Sequence, residues 1–208
     1  MNVLVAFECS GAVRRAFRAL GHDAWSCDLK PATDGSPYHI QGDAMEAIWS
    51  RGWDIIIMHP MCTALSLSGN AHYAVGKPKH QERLKAIDYT MKLWCTAKQQ
   101  GLSVCMENPK GILSLYIGKP QQTVQPYEFG DDASKATCFW LHALDPLEII
   151  PEQRFPGRWV EYRGKMVERW SNQTDSGQNR LGPSATRAAE RAVTYPGIAA
   201  AMARNWGK

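Results

Sequence analysis

The chain has 208 residues, 44% of them hydrophobic and 21% charged, with a formal net charge of +4. These values describe an ordinary globular protein with room for one α/β domain and a small appendage. They exclude a disordered chain, and no apolar run approaches the roughly 20 residues that a membrane-spanning helix needs.

The opening "NVLVAFE" predicts a first strand, not a targeting leader, so the expected location is cytoplasmic, with no membrane partner. "CSGAVRRAFRALGH" follows, with Ala12, Ala16, Phe17 and Leu20 at helical spacing and Gly21 as the stop. "DAWSCDL" predicts a second strand ending in Asp28. After a weakly strand-like stretch, Asp43 opens a short helix, "GDAMEAIWSRG", and "WDIIIMHP" is a further buried strand. Residues 66 to 79 are expected to form a long flexible loop. "HQERLKAIDYTMKLWCTAKQQG" predicts a helix with Leu84, Ile87, Met91, Leu93 and Trp94 on its apolar face. "LSVCMENP" is a strand carrying Glu107 at its end, "ATCFWLHAL" another strand, and "YPGIAAAMARNWG" a last helix.

Strands alternating with helices predict an α/β fold: a doubly wound, mostly parallel sheet of about six or seven strands, as in Rossmann-like domains. Residues 1 to 145 would form the cofactor-binding and catalytic core, 146 to 186 a small basic insertion, and 187 to 208 a helix returning to the core. Ligands of such sheets bind outside the carboxyl ends of the strands. Glu8, Asp28, Asp43, Cys62 and Glu107 all fall at such ends.

The whole basic excess lies in residues 146 to 208, with ten Lys/Arg against six Asp/Glu. Arg154, Arg158, Arg163, Lys165 and Arg169 are the expected phosphate contacts of a nucleic-acid-facing surface over 150 to 191, with Trp159 and Trp170 as stacking groups. The plainer expectation is a solvated basic surface whose tryptophans anchor a loop to the core.

Six cysteines occur, Cys9, Cys27, Cys62, Cys95, Cys105 and Cys138, with no Cys-x-x-Cys pair and no zinc-ligand spacing, so free thiols and no metal are expected. Five lie in apolar segments and are expected in the core. Cys62 lies past the strand, in "DIIIMHPMCTALSLSG". An ionised thiol there is a nucleophile, and a carboxylate on a neighbouring strand end can hold or protonate a substrate. His59 keeps a Cys–His hydrolase open as an alternative. The plainest alternative is that Cys62 packs and Glu107 caps a turn before Pro109.

In order, "FECSG" (7–11), "SCDL", "GDA", "PMCTALS" (60–66) and "ENP" (107–109) resemble the motifs of the cytosine-C5 DNA methyltransferase family, in a short phage-type form. The resemblance covers most of 1 to 145 and 187 to 207. It implies S-adenosylmethionine as cofactor and DNA, or a cytosine nucleotide, as substrate. It implies Cys62 as the nucleophile at cytosine C6, Glu107 as the acid group at N3, and Asn108 as the holder of the nucleophile loop. Asp28 would bind the ribose hydroxyls and Asp43 the adenine amine, with Phe7, Glu8, Gly11 and Pro60 shaping the cofactor pocket. A cytosine in duplex DNA would have to be flipped out. Cys9 stands where the family has glycine, Thr63 where it has glutamine and Pro109 where it has valine. The family's Gln-x-Arg-x-Arg arginines are missing; Lys135 and Thr137 stand nearest, and Lys135 is the expected nucleic-acid contact. Only about forty residues occupy the place of a target-recognition domain. Specificity would then be slight or supplied by a protein partner. Methylation of an exocyclic amine is disfavoured, because "NPKG" and "HPMC" lack the Asp/Asn-Pro-Pro-aromatic pattern. Two alternatives remain: the same chemistry on a free nucleotide or single strand, or a silent nucleic-acid-binding module.

Overall fold

The computed structural model describes residues 1–99, 103–182 and 192–208. Its strands begin as β1 (Asn2–Ala6), β2 (Asp23–Asp28), β3 (His39–Gln41), β4 (Ile55–Met58), β5 (Ser103–Pro109), β6 (Gln122–Val124) and β7 (Thr137–His142). The helices are α1 (Ala12–Ala19), α2 (Ala44–Trp49), the single turn α3 (Asn70–Tyr73), α4 (His80–Gln99) and α5 (Pro196–Trp206). The seven strands form one sheet in the order β3-β2-β1-β4-β5-β7-β6. Strands β3, β2, β1, β4 and β5 are mutually parallel, and β7 runs against both its neighbours. The fold is the expected α/β, doubly wound and mostly parallel one.

Helices cover both faces, which is why the central strands read as unbroken apolar runs. Side chains alternate between the faces. Val3, Val5, Ile55 and Ile57 meet α1 and α5 through Val13, Phe17, Ile198, Met202 and Trp206. Leu4, Ala6, Ile56 and Met58 meet α2 and α4 through Ile48, Ile87, Leu93 and Trp94. Among the described residues no helix is long and apolar enough to cross a membrane.

Three local expectations are corrected. Leu84 is 41% exposed, and the buried side of α4 is instead Arg83, Ile87, Thr90, Leu93, Trp94 and Ala97. The helix is turned to place Arg83 inward, where carbonyl acceptors await its guanidinium. The stretch 66–79 holds a 3-10 turn at Leu67–Gly69 and then α3, so it is not one long loop. Of the five cysteines expected in the core, only Cys27, Cys105 and Cys138 are buried. Cys9 is half-buried in the turn after β1, and Cys95 is exposed on α4, one residue on from inward-facing Trp94 and so about 100° around the helix.

The basic segment contains a hairpin, β8 (Arg158–Tyr162) and β9 (Lys165–Arg169), joined by Arg163 at φ 53° and Gly164 at φ 72°. Two successive residues at positive φ make the tight turn that suits the strands' twist. An isolated hairpin is marginal in water, and this one is fixed at its base. Trp170 is 7% exposed and stacks on Tyr127 with centroids 3.8 Å apart. Asn172 donates to Ser134 O at 2.9 Å and accepts from Ser134 N at 2.9 Å. Residues 183–191, which belong to the expected nucleic-acid surface and to the returning C-terminal segment, lie outside the described residues. So do Gln100 and Gly101, the end of the expected helix, and Leu102, the start of the expected strand.

Candidate active site

The carboxyl ends of the parallel strands are level. Ala6 pairs with Cys27 and with Met58, and Met58 pairs with Met106. The next residue on each strand therefore sits in one row along the rim: Asp28, Phe7, His59, Glu107. The strand order reverses between β1 and β4, where doubly wound sheets open their ligand crevice.

Phe7 turns the chain out of β1 at φ 63°, a conformation rare for a bulky residue. Its ring is held edge-on to Tyr89, centroids 6.3 Å apart. This turn sends Glu8 inward. Its buried carboxylate accepts from Val13 N at 2.7 Å and Arg14 N at 3.2 Å, satisfying donors that α1 would leave open at its start. A cavity of about 140 Å³ lies above, lined by Phe7, Glu8, Cys9, Asp28, Lys30, His59 and residues 192–194. Of the residues expected to bind cofactor, Phe7, Glu8 and Asp28 are brought together here. Gly11 stands just behind, at φ 69°, as the N-cap of α1. Pro60 is buried beside the next loop. Asp43 is not on the cavity wall: its carboxylate caps α2 through Met45 N at 2.7 Å and accepts the Tyr89 hydroxyl at 3.0 and 3.2 Å. Burial, and then Asp43, push the Tyr89 hydroxyl pKa up to about 12.

The loop after β4 is pinned from several sides. Asn108, 1% exposed, donates through Nδ2 to Pro60 O at 2.8 Å. Cys62 O accepts from Leu65 N at 3.1 Å and Ser66 N at 2.8 Å, which coils the chain directly after the thiol. Arg83 donates from α4 to Ala64 O at 2.7 Å, Asn70 Oδ1 at 2.9 Å and Ser66 O at 3.5 Å. On the far side Gly111 packs so close to Leu65 O that a Cβ there would collide with it. Cys62 is left half-buried on a cleft of about 610 Å³, whose lining includes Tyr73, Lys110, Lys135 and Tyr195 and, among the described residues, no Asp or Glu.

Glu107 is hydrogen-bonded to His59 of the cavity wall and stands two residues before Pro109 of the cleft lining. Its side chain is 14% exposed, and His59 Nδ1 stands 3.1 Å from Oε2. Burial alone would raise the carboxyl. The His59 hydrogen bond and the positive charge of Lys135 outweigh it and hold Glu107 below the ordinary carboxylate range. Beneath it the Cys105 thiol is pushed well up, first by burial and then by the Glu107 charge. Thr137, the other residue nearest the missing arginines, is buried and its hydroxyl donates to Lys135 O at 3.1 Å.

The arginines of the basic segment are not equivalent. Arg154 lies over the Tyr127 and Trp170 rings and is paired with Glu168. Arg158 pairs with Asp175 at 2.7 Å. Arg169 donates to Asp175 O at 3.1 Å and Glu168 O at 2.9 Å. Arg163 and Lys165 sit at the hairpin tip. Trp159 is 64% exposed and open to a partner, whereas Trp170 is spent on the stack with Tyr127.

Four side chains important to this geometry were not singled out from the sequence as parts of it: Arg83, Tyr89, Lys30 and Tyr195. Arg83 alone left a trace, as a charge at a position where helical period calls for a buried residue. The pairing of His59 with Glu107 had no local signal.

One reversed strand next to a parallel set, with helices on both faces, makes this a Rossmann-like α/β fold. No protein-family model matches the sequence, and no curated protein matches it either. Among solved structures the chain is similar to a mutant form of DNMT2 from Spodoptera frugiperda, with 14% identity and a TM-score of 0.39. The match covers 66% of this chain and 49% of that one, so the chain spans about half the length of the structure it matches.

Proposed function

We propose that the protein is a methyltransferase that uses S-adenosylmethionine to methylate cytosine at C5 through a covalent adduct on Cys62. The observation that carries this reading is the joining of two neighbouring strand ends. Cys62 follows β4, Glu107 stands on β5, and Asn108 ties the two at Pro60 O, with a cleft in front of the thiol.

The residues of the rim cavity fit an adenosine: Asp28 offers a carboxylate acceptor for ribose hydroxyls, and Phe7 and Val193 offer apolar walls. Bound there, S-adenosylmethionine supplies an electrophilic methyl group. Cys62 as thiolate adds to C6 while Glu107 engages N3, which shifts electron density onto C5. C5 then takes the methyl group. Its proton passes to water, the C5–C6 double bond re-forms, and the thiolate leaves. Asp43 supports the site through Tyr89 and Phe7 on this reading.

A second reading keeps the chemistry and changes the substrate to a single strand or a free nucleotide. It is favoured by the hairpin, where Arg154, Arg158 and Arg169 are engaged within the chain. The cleft, with lysines and no acidic residue among the described residues of its lining, has the size of a small-ligand site.

The test is an oligonucleotide carrying 5-fluorocytosine, offered single-stranded and as duplex with the methyl donor. Fluorine cannot leave C5 as a proton does, so the adduct is trapped, and mass spectrometry should find it on Cys62. Turnover by Cys62→Ser at the wild-type rate would overturn the mechanism.

A further inference from the structure

His59 links the rim cavity to the end of β5. It is on the wall of the rim cavity, and its Nδ1 meets Glu107, two residues before Pro109 of the cleft lining. The side chain is 8% exposed, and its main-chain N–H is fixed on Ala6 O at 3.0 Å. An ionised carboxylate can only accept, so Nδ1 carries the hydrogen of this bond. The other ring nitrogen, Nε2, is buried and has no hydrogen-bond partner. Buried polar atoms are nearly always partnered, and an exception asks for a reason. Other charged groups around the pair are Lys135 on the cleft side and Glu8, Asp28 and Lys30 on the cavity side, with the Cys105 thiol beneath.

We propose that His59 is the positioning residue for Glu107: it holds Oε2, leaves Oε1 for the pyrimidine, and supplies the proton that Glu107 delivers to N3. This rests on the C5-methylation reading. With His59 doubly protonated, the Nδ1–H bond breaks and its proton neutralises Glu107; the carboxyl group, turned to present that O–H, then gives the same proton to N3, leaving His59 neutral and Glu107 ionised. As that proton is transferred the Cys62 thiolate pair forms the S–C6 bond, the C5–C6 π pair becomes a C4–C5 π bond, and the C4–N3 π pair moves to N3 and takes the proton. When the thiolate later leaves, N3 returns its proton by the same path, so both side chains end as they began. A carboxylate this enclosed has little water to draw on, and the histidine against it is a ready donor.

Two variants test this. His59→Asn keeps an N–H donor near Nδ1 but cannot titrate, and His59→Ala removes the donor. The first readout needs no turnover: carbon-13 NMR of the Glu107 carboxyl, assigned by its loss in Glu107→Gln. Glu107 should titrate below the ordinary range in the wild type and move upward in His59→Ala. The second readout is kcat/KM against pH on a cytosine oligonucleotide. His59→Ala should lose about 100-fold. His59→Asn should recover part of that and lack the alkaline fall that the wild type shows as the pair gives up its proton. An unmoved Glu107 titration in folded His59→Ala, or the same pH profile in His59→Asn, would overturn the proposal. If the wild type shows the Glu107 shift but transfers no methyl group, the parent reading falls and proton delivery with it, while the pair remains.

Discussion

The side-chain amide of Asn108 donates to the main-chain oxygen of Pro60 across 2.8 Å, in a place closed to water. The bond joins the end of β5 to the loop that presents Cys62, residues 48 apart in sequence at the point of contact. Asn108→Ala leaves a buried carbonyl without its donor and should cost about 1–3 kcal/mol in chemical denaturation. Asn108→Asp should be no better, since an ionised carboxylate cannot donate. Both should also change the rate at which Cys62 reacts with iodoacetamide, while a change at a surface site such as Lys92→Ala should not.

Asp28 and Asp43 end successive stretches of the rim yet do different things. Asp28→Ala should abolish the calorimetric heat of S-adenosylmethionine binding and leave the melting temperature nearly unchanged. Asp43→Ala removes a helix cap and should cost about 0.5–2 kcal/mol of stability. A large stability loss in Asp28→Ala with intact binding would reverse the assignment.

Glu107 gives a pH signature. Its folded carboxyl is held below the ordinary value of 4.5, by His59 and Lys135 against burial. Its ionisation therefore favours the folded state above the unfolded value, and that contribution is lost as pH falls through the folded one. The stability difference between wild type and Glu107→Gln should be constant near neutrality and shrink toward the wild type's disadvantage below about pH 4.5. Denaturation at a series of pH values checks this.

The basic side chains of the hairpin should sort into two groups in nucleic-acid binding. Arg163→Ala and Lys165→Ala should each weaken binding and lower the salt slope by about 1 if each meets a phosphate. Arg154→Ala and Arg158→Ala should act mainly on the hairpin's anchorage. Equal effects from all four would argue that the internal ion pairs open on binding.

Trp170 fixes that anchorage. Trp170→Ala removes the stacked partner of Tyr127, and amide exchange over residues 158–169 should accelerate far more than exchange in β1, β4 and β5. A uniform increase would mean that the hairpin and the sheet unfold together.

Much of the fold was legible because buried parallel strands leave apolar runs that survive any detail of packing. "NVLVA" and "IIIM" are such runs, and the rim residues follow them by simple continuation. The pairing of His59 with Glu107 was not legible, because it is created by β4 lying beside β5 and not by spacing along the chain. Leu84 misled because periodicity weighs only apolarity, whereas α4 turned to satisfy a buried guanidinium. The hairpin was hidden by composition. Arg163-Gly164 is a turn signal between two short alternating runs, but a dense arginine count reads as charge until the partners, Glu168 and Asp175, are known.

Helix α5 lies against α1, on the face of the sheet that also receives Phe17, and the residues just before it, 192 to 195, wall both pockets. The walls of the two pockets are thus assembled from segments at opposite ends of the chain. A nascent chain that has emerged only through β7 would have its strands in hand and yet expose Val13 and Phe17 to water. Closing that gap means bringing together segments far apart in sequence, an entropic step that tends to come late and slowly. Competence would therefore arrive abruptly, when Ile198, Met202 and Trp206 dock, with no partly active fragment before it.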